Sequence, residues 1–280
     1  MKCFYHNDID GICAGRIVAE FYQNFKIWDY SMCNYTNLDI SCVCPDETVF
    51  FVDLSFTDAT KDALYRLIDI GANICWIDHH ESSIALSNSD SRLKNLPGIR
   101  SKCASGAALT YMFLNEVSFE DVPLFIQYIS DFDNWNHQFY PKSTYFKYGL
   151  ECNQYDLFSP IWETLFSDCS NGIVNKMITD GEIISQYNKQ ENFRTCSDFG
   201  YIVEFEGYTA YVLNSNKNSL VFGDIIHYYP LVITWIYTGK YYKYSLYSED
   251  NTVDCSKIAE RYGGGGHKSA AGFTSSNLCV

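Results

Sequence analysis

Three short, mostly apolar segments, each followed by acidic or histidine residues, constrain the fold of this chain more than any other feature. The segments are residues 2–5, 49–52 and 73–77, and helical spacing of apolar residues follows the first two, over 12–25 and 57–69. Strands that alternate with helices pair in parallel, because a parallel connection needs a crossover of a dozen or more residues. The sequence therefore predicts an α/β amino-terminal half with a doubly wound parallel sheet.

Acidic and histidine side chains follow all three predicted strands. They are His6, Asp8, Asp10, Asp53, Asp78, His79 and His80. Ligands of open α/β sheets bind beyond the carboxyl ends of the strands, so we expect these side chains to meet. Mixed carboxylate and imidazole ligands suit Mn²⁺ or a similar divalent ion, whereas the thiolates that favour zinc are missing from these turns. Two ions would need a bridging carboxylate, and Asp53 on a central strand is the natural candidate.

Each of these clusters also has a purely structural interpretation. Residues 6–11 could form a hydrogen-bonded Asx turn, Asp53 could cap a helix, and residues 78–80 could be a hydrogen-bonded strand end. Three unrelated turns would not be expected to place such residues at successive strand ends. Their joint placement favours a metal site.

The middle of the chain predicts mostly helices and loops. Residues 82–100 are rich in Ser, Asn and Asp and predict a loop, and residues 104–115 predict a helix. Residues 122–128 predict a helix or strand that leads into an extended Ser-Asp-Phe-Asp segment at 130–133. The spacing over 156–193 is helical and predicts a connector without strands.

After about residue 195 the pattern changes to paired strands. Hairpins are predicted at 200–213 and 231–247, with helical segments at 219–228 and 254–261. Four glycines and a histidine follow at residues 263–267. Glycines let a backbone approach a phosphate with its N–H groups exposed, although a linker or a helix C-cap is the alternative.

The motifs resemble those of a known enzyme family. His-x-Asp-x-Asp-Gly at 6–11, Asp53, Asp-His-His at 78–80 and the Ser-Asp-Phe-Asp segment at 130–133 look like the four motifs of the DHH phosphoesterase superfamily. The Gly-Gly-Gly-Gly-His motif, followed by Ala-Ala-Gly-Phe, is similar to the substrate-binding motif of the associated DHHA1 domain. The resemblance covers nearly the whole chain in the expected order. It is closest to the short stand-alone members that degrade oligoribonucleotides or cyclic dinucleotides.

The resemblance implies a domain organisation. Residues 1–150 would form the DHH catalytic metal-binding domain, and residues 151–195 a helical connector. Residues 196–280 would form a smaller α+β DHHA1 substrate-binding domain. The glycine-rich motif would hold the end of the substrate far from the metal ions.

The resemblance also implies roles for individual residues. His80 would face the scissile phosphate, and Asp78 would orient a ligand imidazole. Asp131 is favoured over Asp133 as the ligand from the fourth motif. Ser105 starts a helix whose N-terminus could bind a phosphate oxygen, or it could be a plain cap. The implied metal ligands are His6, Asp8, Asp10, Asp53, His79 and Asp131, and the implied substrate contacts in the glycine-rich motif are Gly264, Gly265, Gly266 and His267.

Composition limits the partners and the compartment. The 34 acidic and 20 basic residues give a formal charge of −14, which repels long polyanions and favours small anionic substrates over duplex nucleic acid. Twelve scattered cysteines and no secretory start predict reduced thiols in the cytoplasm. The longest apolar run is far below the roughly 20 residues of a membrane span. A homodimer is compatible with these features.

The function expected from these features is a phosphodiesterase with two divalent ions. Manganese is the expected ion, with magnesium or cobalt as alternatives. The substrates would be short RNA or DNA oligonucleotides, cleaved as by a 3′–5′ exonuclease, or linear or cyclic dinucleotides, and the products nucleoside monophosphates. The alternatives are a phosphatase of the 3′-phosphoadenosine 5′-phosphate type and a nucleotide-binding sensor without turnover. The motifs do not rank cyclic against linear substrates, because ring closure is recognised by pocket shape.

Overall fold

The computed structural model of the chain describes residues 1–22, 29–33, 38–58, 60–250 and 252–280. These residues divide into an amino-terminal unit, Met1–Ile184, and a carboxy-terminal unit, Ser185–Val280. Within the described ranges, we find no helix that is both long enough and apolar enough for a membrane span.

A parallel sheet forms the centre of the amino-terminal unit. Its strands are β1 (Lys2–His6), β2 (Asp29–Cys33), β3 (Thr48–Val52) and β4 (Asn73–Ile77). Their order is β2-β1-β3-β4, and each neighbouring pair runs parallel. The three predicted strands are confirmed. The edge strand β2 was not predicted because its sequence, Asp-Tyr-Ser-Met-Cys, has no continuous apolar run.

Helices cover this sheet. They are α1 (Ile9–Phe21), α2 (Asp62–Asp69), α3 (Glu81–Ser89), α4 (Gly106–Asn115), α5 (Leu124–Asp133), α6 (Lys142–Glu151) and α7 (Pro160–Ser167), with a 3₁₀ turn at Phe119–Asp121. A longer helix, α8 (Gly172–Phe199), runs across the boundary between the units.

Alternate side chains of β4 enter two separate cores. Cys75 and Ile77 pack in the core that α1, α4 and α5 cover, whereas Ile74 and Trp76 pack in the core that α2 and α3 cover. The Trp76 indole is fully buried, and its Nε1 donates to the Leu54 carbonyl at 3.1 Å. Helices therefore lie on both faces of the sheet, which confirms the predicted doubly wound α/β architecture.

Several predicted boundaries differ from the structure. The loop predicted over 82–100 contains most of α3, which was not predicted because the segment is rich in serine. One of these serines, Ser83, is buried and accepts a hydrogen bond from the Phe56 N–H at 3.0 Å. The predicted helix 57–69 begins only at Asp62, after a turn, and Ala59 lies outside the described residues.

The helix predicted over residues 12–25 begins earlier, at Ile9. Asp10 therefore lies in its first turn rather than in a loop, while residues 23–25 fall outside the described ranges. The segment 130–133 belongs to α5 and is not extended. This difference affects the metal centre, because a helix and an extended chain point neighbouring side chains in different directions.

The carboxy-terminal unit is built on a mixed sheet. Its strands are β5 (Tyr201–Phe205), β6 (Tyr208–Asn214), β7 (Leu231–Tyr237), β8 (Tyr242–Tyr247), β9 (Gly265–Gly266) and β10 (Ala270–Ser275). Their order is β5-β6-β7-β8-β10-β9; β6 and β7 pair in parallel, and the other neighbours pair antiparallel. A 3₁₀ segment at Ser219–His227 and α9 (Cys255–Arg261) complete the unit. Both predicted hairpins and the α+β class are confirmed.

The boundary between the two compact units lies at residues 184–185, inside α8. The division of the chain into three functional parts at residues 150 and 195 stays a prediction.

Candidate metal centre

The Asp53 carboxylate lies between two imidazoles. Its Oδ2 is 3.9 Å from Nδ1 of His6, and its Oδ1 is 3.2 Å from Nε2 of His79. His6 ends β1, Asp53 follows β3, and His79 comes two residues after β4. The carboxyl ends of these parallel strands therefore bring the three side chains together, as the sequence predicts.

The backbone at Asp53 is unusual. Its φ of 53° lies in the left-handed region, which Asp tolerates better than most residues. Its N–H donates to the Ile77 carbonyl at 2.9 Å, and only 1% of the residue is exposed. Burial, followed by the charges of nearby carboxylates, raises the pKa of Asp53 well above its ordinary value. A neighbouring cation would relieve this cost.

The turn between β1 and α1 places Asp8 beside His6. Asp8 is the N-cap of α1: its Oδ1 accepts from the Gly11 N–H at 2.9 Å, while its Oδ2 is 2.7 Å from Nδ1 of His6. The hydrogen bond to Asp8 raises the pKa of His6. Burial acts to raise the pKa of Asp8, but the bonds from His6 and Gly11 outweigh it and lower that pKa.

Asp10 is held by the N-terminus of α4. Its Oδ1 accepts from the Ser105 hydroxyl at 2.5 Å and from the Ala107 N–H at 3.2 Å. Burial of Asp10 raises its pKa, although these two donors oppose the rise. The expected phosphate contact at Ser105 is contradicted, because this residue is fully buried and its hydroxyl donates to Asp10.

Asp78 orients His80. Its Oδ1 is 2.7 Å from Nδ1 of His80 and also accepts from the backbone N–H of His79 at 2.9 Å. Burial acts to lower the pKa of His80, but the bond to Asp78 together with the charges of Asp78, Asp10 and Asp8 outweighs it and raises that pKa. Asp78 was expected to orient a metal-binding imidazole. The ring that it holds is instead that of His80, the residue expected to face the phosphate.

The ring of His79 is oriented by Asn134, which the sequence analysis did not single out. The Asn134 Oδ1 is 2.8 Å from Nδ1 of His79, so Nε2 points toward the carboxylates. Asn134 directly follows the Ser-Asp-Phe-Asp segment. This position next to a motif with two carboxylates is the sequence feature that could have identified Asn134.

The structure brings Asp133, not Asp131, to the cluster. Asp133 Oδ2 is 3.4 Å from Nε2 of His79, and partial burial, followed by the charge of Asp10, raises its pKa well above the ordinary value. Asp131 is 4% exposed and accepts instead from the N–H groups of Gln138 and Phe139, at 2.7 and 3.2 Å. The preference for Asp131 as the ligand from the fourth motif is therefore wrong, and Asp133 takes this position. Residues two apart on a helix point to different sides.

The side chains fit divalent ions. Three groups have ligand atoms within 4.8 Å of one another: His6–Asp8–Asp53, Asp10–His79–Asp133 and Asp53–Asp78–His79–His80. Among the described residues, buried Oδ2 of Asp10 and Oδ1 of Asp53 have no hydrogen-bond donor. Buried carboxylate oxygens without donors are costly, and a bound cation would satisfy them. Oxygen and imidazole ligands are those that manganese and similar ions accept.

The glycine-rich motif lies at the edge of the second sheet. Gly265 and Gly266 form β9 and pair with β10, and the N–H groups of Gly264 and His267 donate to the carbonyls of Ala259 and Ala270. The expected loop of exposed N–H groups is therefore contradicted at Gly264 and His267. A β-carbon at Gly264 would lie 2.1 Å from the Gly272 carbonyl oxygen, so close strand packing requires glycine there.

A groove runs along this motif. Its volume is about 570 Å³, and its walls include Gly263–Gly266, Gly272 and Lys243. A groove of this size accommodates part of a small ligand. The assignment of substrate binding to Gly264, Gly265, Gly266 and His267 stays a prediction.

No family model matches the chain. Among curated proteins, an uncharacterised protein of Acanthamoeba polyphaga mimivirus is 28% identical over 228 residues, which cover 77% of this chain and 51% of the relative. The chain thus spans about half of that viral protein's length. Oligoribonuclease NrnB of Bacillus subtilis is 23% identical over 297 residues, which cover 96% of this chain and 71% of the relative.

Solved structures share the fold over almost the whole chain. A DHH domain described as coming from a member of a family of ribosomal proteins has a TM-score of 0.62 at 13% identity, covering 97% of this chain and 81% of the other. A pGpG-specific phosphodiesterase, PggH of Vibrio cholerae, has a TM-score of 0.53 at 10% identity, covering 98% and 92%. At these identities the likeness shows the fold. The chain thus shares the fold of these structures, and the motifs at its strand ends resemble those of DHH proteins.

Proposed function

We propose that this chain is a phosphodiesterase that uses two divalent ions, manganese above all, to hydrolyse short oligonucleotides or dinucleotides to nucleoside monophosphates. The proposal rests mainly on the Asp53 carboxylate, whose two oxygens face His6 and His79 separately. A carboxylate in that position can bridge two ions. NrnB carries the name oligoribonuclease and PggH is described as pGpG-specific, which supports this substrate class.

The ligands divide around Asp53. His6 and Asp8 would hold one ion, and Asp10, His79 and Asp133 the other, with Asp53 shared. When bound, a pair of divalent ions activates a water and offsets the charge that builds on a phosphate during displacement. The carboxylates and imidazoles of the chain supply the geometry for that pair.

His80 would act on the phosphate. Asp78 holds its Nδ1 and helps to raise its pKa, which favours the doubly protonated ring, the form that can donate from Nε2. The acceptor would be a non-bridging phosphate oxygen, or the leaving oxygen if His80 is the general acid. Asp78 is thus a positioning residue for His80.

A substrate panel with Mn²⁺ tests the proposal. It contains linear dinucleotides, cyclic dinucleotides, an RNA of about twenty nucleotides and 3′-phosphoadenosine 5′-phosphate. We expect dinucleotides to be cleaved much faster than the longer RNA, because a chain of charge −14 repels long polyanions. The Asp53→Asn variant should lose hydrolysis while keeping its circular dichroism spectrum, and Asp62→Asn, at an exposed position in α2, should retain it.

The alternatives give different results in the same panel. Hydrolysis of the bisphosphate nucleotide alone would indicate a phosphatase. If the protein binds one of these nucleotides but hydrolyses none of them with any divalent ion, the result would indicate a sensor. Retained hydrolysis in Asp53→Asn would exclude the two-ion arrangement.

A further inference from the structure

A pocket of about 350 Å³ opens beside the metal centre, within the amino-terminal unit. Its floor and sides include the apolar Ile129 and Leu150 and the rings of Phe132 and Tyr155. Small-molecule pockets in proteins span about 300–1,000 Å³, so this one fits a single nucleoside and not a longer chain. The metal chemistry proposed above does not use it.

The pocket shares a wall with the metal centre. Asp8, Asp10 and Asp133 line it and also belong to the candidate ligand groups. A nucleotide whose phosphate lies at those carboxylates through bound ions would therefore have its base or sugar next to this pocket. Tyr155 lines the same pocket; burial raises the pKa of its phenol, and the charges of Glu151 and Asp8 add to the rise.

Besides these aspartates and Asn7, two charged side chains one helical turn apart in α6 line the pocket. Nζ of Lys147 lies 2.8 Å from Oε1 of Glu151 and 5.3 Å from the centroid of the Phe132 ring. About a fifth of the Lys147 side chain and a third of the Glu151 side chain are exposed, so both remain accessible to a ligand. The pocket thus presents a donor and an acceptor side by side against an aromatic ring.

This pattern complements guanine. The guanine O6 accepts a hydrogen bond, and the adjacent N1–H and N2–H₂ groups donate, so an ammonium can meet O6 while a carboxylate accepts from N1 and N2. Adenine presents an amino donor where guanine has O6, and it would face the ammonium with the wrong group. Phe132 and Tyr155 line the pocket, and nucleobases stack on aromatic side chains.

Building on the proposed phosphodiesterase function, we propose that this pocket binds a guanine base next to the metal centre, with Lys147 donating to O6 and Glu151 accepting from N1 and N2. The pocket then sets the base preference of the enzyme. Sites built to hydrogen-bond a group discriminate against analogues that lack it, because the analogue offers those side chains no matching partner.

Two measurements test the proposal. The first compares kcat and KM for GpG and ApA with Mn²⁺, and the second measures binding of GMP and AMP by calorimetry, with and without Mn²⁺. We expect at least tenfold preference for guanine in both. Lys147→Met and Glu151→Gln should reduce it to about twofold, mainly through KM. Matched controls are Lys142→Met, at the exposed start of the same helix, and Glu163→Gln, at an exposed position in α7.

The outcomes separate this inference from the proposed function. Cleavage of GpG and ApA with equal efficiency would overturn the guanine pocket and leave the phosphodiesterase standing. A guanine preference that survives both pocket variants would also overturn it. If no dinucleotide is cleaved with any divalent ion, the proposed function fails, and the calorimetry decides the pocket: selective GMP binding lost in Lys147→Met supports it, and equal binding of GMP and AMP overturns it.

Discussion

Gly106 packs against Asp53 so closely that a β-carbon on residue 106 would lie 2.5 Å from Cβ and 2.8 Å from Oδ1 of Asp53. Gly106 is the first residue of α4, and the same helix N-terminus holds Asp10 through Ser105 and Ala107. One helix start therefore positions two of the candidate metal-binding carboxylates.

Gly106→Ala should displace the Asp53 carboxylate, because the added methyl group cannot occupy its space. We expect the affinity for Mn²⁺ to fall at least tenfold, similar to the loss of an orienting contact. Calorimetric titration with Mn²⁺ measures it. Gly172→Ala at the start of α8, where the nearest atom would be 3.3 Å away, is the control and should bind normally. Unchanged affinity in Gly106→Ala would contradict the bridging position of Asp53.

Asp131→Ala should lower the stability of the fold, whereas Asp133→Ala should lower its affinity for metal. Asp131→Ala leaves the N–H groups of Gln138 and Phe139 without an acceptor, so unfolding free energy should fall by about 1–3 kcal/mol while Mn²⁺ affinity stays within threefold. Asp133→Ala should lower Mn²⁺ affinity at least tenfold and should not destabilise the metal-free protein, because it removes a carboxylate whose ionised form is disfavoured there. Urea denaturation and metal titration measure the two effects. A loss of metal binding in Asp131→Ala alone would restore the assignment expected from the motif.

Asn134→Ala should lower metal affinity, although Asn134 is not itself one of the candidate ligands. Removing the Oδ1 partner of His79 Nδ1 frees the ring to rotate, and such losses reduce metal affinity or activity by about 10–100-fold. Asn134→Asp keeps the acceptor and should recover most of the affinity. Asn136→Ala, at an exposed position, is the control. Equal activity in Asn134→Ala and wild type would show that packing alone holds His79.

Metal-free protein should lose stability as the pH rises. The pKa values of Asp10, Asp53 and Asp133 are raised in the folded state, so folding favours their protonated forms. Their contribution to stability is full below the ordinary aspartate pKa of about 3.9 and is lost as the pH passes the raised values. The pKa values of His6 and His80 are also raised, so their contribution to stability is likewise lost as the pH rises through those values.

Melting temperatures at pH 5 and pH 8 measure this dependence. We expect a lower value at pH 8 in EDTA, and a larger stabilisation by Mn²⁺ at pH 8, because a cation favours the ionised carboxylates. Asp8 acts oppositely, since its pKa is lowered, but its effect falls mainly below pH 4. A melting temperature in EDTA that rises from pH 5 to pH 8 would contradict the raised pKa values.

The α/β class, three of the parallel strands and the meeting of His6, Asp53 and His79 could be predicted from the amino-acid sequence alone. The reason is local: apolar runs and helical spacing identify the elements, and parallel strands bring their carboxyl ends to one edge. The hairpins over 200–213 and 231–247 were also predictable, because paired strands and tight turns are encoded over short distances.

The individual contacts at the candidate metal centre depend on tertiary packing and could not be predicted. Whether Asp131 or Asp133 reaches His79 depends on the helical state of residues 124–133 and on the rotation of that helix. Ser105 and Asp10 are 95 residues apart, and their hydrogen bond follows from the packing of α4 against α1. Such contacts depend on how elements distant in sequence are oriented against each other, which no local pattern encodes.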